Sequence, residues 1–75
     1  MGDPAYQYGT VKFYSHSKGY GFLKLPDGSR DVFIHVNELR LSGIQRSLCE
    51  GELIKFVPDT RPKGPYATNV SIVEN

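Results

Sequence analysis

Two neighbouring segments narrow the folds open to this chain: Lys18-Gly19-Tyr20-Gly21-Phe22-Leu23 and Val32-Phe33-Ile34-His35-Val36. Side chains on a strand alternate between its two faces. Tyr20 and Phe22 therefore share one face of the first segment, with Leu23 and Leu25 opposite. In the second, Asp31, Phe33 and His35 share a face, and Val32, Ile34 and Val36 take the other. A sheet buries one face, so the aliphatic side is expected. Rings on the other side are not, because a solvated face ordinarily carries Lys, Thr, Glu or Ser. They mark a second core or a surface that stacks on something flat, and nucleic-acid bases are the commonest flat partner.

The strongest local signal lies between those segments. Pro26-Asp27-Gly28-Ser29 combines the residues that favour a tight turn, so the flanking strands are expected to form a hairpin. A short turn sets register, which would bring Tyr20 and Phe22 beside Phe33 and His35. Further strands are expected at Thr10–Tyr14, Gly51–Val57 (closed by Pro58-Asp59) and Tyr66–Val73, with Arg61 to Pro65 as a turn-rich loop. Residues 37–41 suit a single helical turn ended by Ser42-Gly43, too short to stand alone. Residues 1–8 lack periodicity and read as a flexible tail, from which Tyr6 and Tyr8 could dock. Five short strands without a long helix point to an all-β barrel or sandwich, and a barrel removes exposed edges. The expected core is Val11, Leu23, Val32, Ile34, Leu39, Ile54, Phe56, Val70 and Ile72.

Size and composition restrict the chemistry. Seventy-five residues make one domain near the lower limit for folding without staples. The single Cys49 forms no internal disulfide, and two histidines with one cysteine are too few and scattered for zinc. No apolar run reaches membrane-spanning length and no signal peptide is evident, so a cytoplasmic protein is expected. Net charge is only +1, but its distribution is uneven: Lys12, Lys18 and Lys24 precede the acids Asp27, Asp31, Glu38, Glu50 and Glu52. A cationic strip near an aromatic face suits an anionic ligand. Lys24, Arg30, Arg40 and Arg46 read as solvated charges.

With these residues in view, the chain resembles a bacterial-type cold-shock domain. The likeness rests on Gly9-Thr10-Val11-Lys12-Phe13-Tyr14, on Lys18 to Leu23, on Asp27 to His35, and on Gly51 and Lys63-Gly64-Pro65. It covers residues 9–73. The resemblance implies a five-stranded antiparallel barrel of the oligonucleotide-binding (OB) type. It also implies a monomer that binds single-stranded RNA and DNA without catalysis, cofactor or metal. By the same likeness Lys12, Phe13, Lys18, Tyr20, Phe22, Asp31, Phe33, His35, Lys63 and Pro65 match ligand-contacting positions. Phe13 stands where many bacterial members carry Trp, Val36 where they often carry Phe or Gln, and Ile44 where they often carry Phe. The binding mode is expected to persist, with weaker affinity or fewer bases held.

Stacking tolerates any sequence because every base has a π-face, and the flanking lysines can neutralise phosphates. The function that follows is an RNA chaperone, which binds open strands and disfavours hairpins by mass action. No phosphate loop of the Gly-x-x-x-x-Gly-Lys type occurs, which argues against ATP-driven unwinding. The main alternative is a protein-interaction or dimerisation barrel using the same face. A ribonuclease built on His16 and His35 is disfavoured, since a turn and a sheet face give no sign of converging on one phosphate.

Overall fold

The computed structural model describes residues 5–74. Strands β1 (Gln7–Ser15), β2 (Tyr20–Lys24), β3 (Asp31–His35), β4 (Leu53–Arg61) and β5 (Gly64–Ile72) close into a barrel in the order β1-β2-β3-β5-β4. Every pairing is antiparallel except the short β3–β5 contact, where Phe33 meets Tyr66 in parallel. The helix α1 (Val36–Leu41) follows β3 directly.

Local chemistry explains the connections. In the β2–β3 turn the Gly28 amide donates to the Leu25 carbonyl at 3.0 Å and the Ser29 amide to Asp27 Oδ1 at 2.9 Å. Gly28 takes the left-handed conformation that such turns require, at φ 70°. The hairpin register is the expected one, with Tyr20 opposite His35 and Phe22 opposite Phe33. Helix α1 begins with His35 as its N-cap, Nδ1 accepting from the Asn37 amide at 3.1 Å. It ends at Ser42-Gly43 in a Schellman arrangement: the Gly43 amide donates to Arg40 and the Ile44 amide to Leu39.

The core comprises Val11, Leu23, Val32, Ile34, Leu39, Leu48, Ile54, Phe56, Ala67 and Val70, with Ile72 partly buried against it. Leu48 and Ala67 are additions to the expected set. Leu48 sits in an irregular loop that Glu52 fastens, its carboxylate accepting from both Arg46 guanidinium nitrogens and from the Cys49 amide.

Three expected boundaries are corrected. Strand β1 begins at Gln7, within the segment expected to be a tail, because Gln7 and Tyr8 pair with Phe56 and Lys55 of β4. Tyr6 lies beneath the Lys55 ammonium, 4.3 Å from its ring centre; residues 1–4 of that expected tail fall outside the described residues. Strand β4 runs through Pro58 to Arg61. Among the described residues its pairing with β1 ends at Phe56, so proline's missing N–H breaks no ladder bond beyond that point. The expected Arg61–Pro65 loop is instead a tight hairpin, in which Arg61 pairs with Gly64 across Pro62-Lys63. Among the described residues no helix is long and apolar enough to cross a membrane.

The Glu52 clamp carries a pH signature. Hydrogen bonding from Arg46, then from the Cys49 amide, holds its carboxyl below the usual range. A pKa lowered by folding stabilises the fold above the unfolded value of about 4.3 and loses that contribution as pH falls through the folded value. Glu52→Gln is therefore expected to be less stable than the parent in urea at neutral pH, with the gap closing under acid conditions. A gap of constant size would show that the ionised clamp does not hold the loop.

Candidate nucleic-acid interface

The outer face of β1, β2 and β3 carries the rings, and a bulge in β1 places the first of them. Val11 pairs with Leu23 and Phe13 with Phe22, so Lys12 is the extra residue. Strict alternation would put Lys12 and Phe13 on opposite faces. The bulge leaves both exposed while Val11 stays in the core. Tyr14 then turns inward and packs against the core over Gly21. Burial raises its phenol pKa, with Arg40 opposing.

Phe33 is the hub of the ring array. It stacks on Tyr20 at 5.5 Å and meets Phe22 edge-on at 5.6 Å. It also lies 5.8 Å from Tyr66 and 6.2 Å from His35. Phe13 joins through Tyr20 at 6.4 Å. Among the array's members Phe13 is 43% exposed, and Tyr20, Phe22, Phe33, His35 and Tyr66 are half-buried. Phe13 and Phe22 meet their neighbours edge-on while Tyr20 and Phe33 stack, and all six side chains stay at least partly exposed. His35, held by its Nδ1 bond to the Asn37 amide, presents Nε2–H as a donor in the neutral ring.

A groove of about 630 Å³ opens beside the array, lined by Phe22, Phe33 and Tyr66 and by the hairpin residues Arg61, Lys63 and Pro65. Asp31 lies at its rim and pairs with Lys12 at 2.9 Å, both side chains exposed. The fold thus gathers Tyr20, Phe22, Asp31, Phe33, Lys63 and Pro65 about one groove. Phe13, His35 and Lys12 adjoin it through Tyr20, Phe33 and Asp31 respectively. Lys18 stands apart, at a separate cleft beside the β1–β2 turn.

Tyr66 is absent from the expected ligand set. The Arg61 guanidinium lies 4.0 Å over the Tyr66 ring, while its Nε donates to Asp59 at 2.8 Å. The Tyr66 hydroxyl reaches Glu38 Oε2 at 3.4 Å. Burial, reinforced by Glu38, raises this phenol's pKa against the opposing pull of Arg61. Only the parallel β3–β5 contact brings Tyr66 to Phe33, and nothing local announces a pairing so distant in sequence. Among the described residues no group of three or more His, Cys, Asp or Glu is placed to hold a metal ion.

Barrel closure, the ring-bearing sheet face and the cations at its margin together define the OB-type class of nucleic-acid-binding barrels. The family follows from sequence comparison: the model of the 'Cold-shock' DNA-binding domain matches residues 7–73, and the chain belongs to the cold-shock domain family. It is 45% identical over 65 residues to probable cold shock protein A of Mycolicibacterium smegmatis, covering 87% of this chain and 96% of that protein. It is 42% identical over 62 residues to cold shock-like protein CspE of Escherichia coli, covering 83% and 88%. With cold shock protein CspV of Vibrio cholerae it shares 40% identity over 62 residues, covering 83% and 87%.

Proposed function

We propose that this protein is a non-catalytic, monomeric, cytoplasmic RNA chaperone that binds single-stranded RNA and DNA on the Phe33-centred face. The observation that carries the reading is the contiguous array of five rings and an imidazole, every member of which stays at least partly exposed. Unpaired bases stack on Phe13, Tyr20, Phe22, Phe33 and His35. Lys12, Lys18 and Lys63 neutralise phosphates, Pro65 gives the groove an apolar wall, and Asp31 accepts from a base amine. The Lys12–Asp31 pair is exposed on both sides, so exchanging it for a phosphate and a base costs little. A duplex buries the faces that the rings recognise. Binding only the open strand shifts RNA folding by mass action without ATP.

Tyrosine fluorescence tests this directly, since the chain has no tryptophan and Tyr20 and Tyr66 lie on the proposed face. Single-stranded oligothymidine is expected to quench it saturably, and the matching duplex is not. With three or four phosphates engaged, log K should fall with log salt at a slope on the order of −2 to −3. Equal response to duplex, or none to either ligand by fluorescence and gel shift, would overturn the reading. Dimerisation that oligothymidine fails to compete would assign the face to protein contacts instead.

A further inference from the structure

A second cleft, of about 710 Å³, lies between the β1–β2 turn and the segment that follows α1. It starts where the ring array stops. Tyr20 and His35 are cross-strand partners, and the residues next to them, Gly19 and Val36, form the cleft's near edge. The Val36 amide donates to the Gly19 carbonyl at 2.9 Å, which fuses that edge to the sheet. Across the cleft a His16–Ser47 hydrogen bond ties the turn to the far wall.

The cleft's charge is one-sided. Lys18, Arg40 and Arg46 line it with no carboxylate among the lining residues. Arg46 is already held by Glu52. Lys18 and Arg40 are exposed and, among the described residues, have no carboxylate partner. The apolar wall is chiefly aliphatic, from Val36, Leu39 and Ile44; the rings in the lining are the half-buried Tyr14 and the His16 imidazole, which is tied to Ser47. Such a cleft offers little for a base to stack on and two free cations for a phosphodiester.

We propose that this cleft is a phosphate-binding extension of the ring face, in which Lys18 and Arg40 hold the backbone of the same single strand as it leaves Tyr20 and His35. The proposal rests on the function given above and adds a division of labour. Nucleotides on the rings are held by stacking, and those in the cleft by charge. Arg40, which reads in the sequence as a solvated charge in the last turn of α1, becomes a ligand-binding residue.

The test compares the parent chain with Arg40→Gln on oligothymidylates of about four and about twelve nucleotides, lengths within the site sizes of such barrels. On the longer strand the variant is expected to bind severalfold more weakly, with the salt slope shallower by about 0.7, the value of one phosphate contact on a single strand. On the shorter strand affinity and slope should match the parent. The Gly43 and Gln45 amides should shift in NMR spectra with the longer strand only. Arg40 also complements the helix dipole, but loss of that role lowers stability without dependence on strand length. Equal loss at both lengths, or no loss at either, would overturn the proposal. Failure of the parent to bind either strand would instead overturn the function on which it rests.

Discussion

Phe33→Ala is expected to weaken binding of single-stranded oligothymidine by roughly fivefold to more than a hundredfold, the equivalent of about 1–3 kcal/mol for one lost stack. The upper part of that range is favoured, because Phe33 alone touches Tyr20, Phe22, His35 and Tyr66. Its removal takes away one stacking surface and the lateral support of the others. The fold should survive. Phe33 stands on the outer face, and the residues flanking it, Val32 and Ile34, carry the core contacts at 2% and 0% exposure. An aromatic pair contributes about 0.5–1.5 kcal/mol, so the variant should melt several degrees lower, at about 4–8 °C per kcal/mol for a domain of this size. Fluorescence titration at a temperature where both chains are folded separates the effects. Binding retained within twofold would mean that the rings do not form the ligand face.

How much of that face could be read from the sequence depends on how local its causes are. Tyr20, Phe22, Phe33 and His35 follow from alternation plus one turn, because Pro26-Asp27-Gly28-Ser29 sets the register of a hairpin that contains them all. Lys12 and Phe13 do not. Adjacent residues on a regular strand point apart, and only the bulge in β1 lets both face outward; family resemblance supplied them where periodicity could not. Tyr66 depends on a contact between β3 and β5, which no local pattern encodes. The core divides similarly. Alternating aliphatics identify most of it, but Leu48 is drawn in by a loop whose shape depends on the Arg46–Glu52–Cys49 clamp, and Ala67 is small enough to escape notice. Strand β4 outran its expected end because proline stops a strand only where its N–H would be paired.

The bulge that orients Lys12 and Phe13 has a steric requirement on the neighbouring strand, and Gly21→Ala violates it. A Cβ at position 21 would lie 2.2 Å from the Phe13 carbonyl oxygen and 2.8 Å from Tyr14 Cα. Both are backbone atoms of β1, so no rotamer change relieves the clash, and the two strands must separate. Tyr14 Cδ1 at 2.9 Å adds to it. Overpacking of side chains costs about 1–3 kcal/mol, and displacing backbone costs more. A chain of this length has only about 4–11 kcal/mol in total. Gly21→Ala is therefore expected to lose most of its far-UV circular dichroism at 25 °C. Gly28→Ala provides the control, since φ is 70° there but nothing lies within 4 Å of the added methyl. Its cost is that of a left-handed alanine, about 1–2 kcal/mol, and the barrel should persist. If single strands bind the folded state alone, oligothymidine at about a hundred times Kd contributes roughly 2.7 kcal/mol. Adding it should restore part of the lost signal in Gly21→Ala, and the matching duplex should not. A Gly21→Ala chain that melts with the parent would mean that β1 and β2 are farther apart at this point than their close packing here requires.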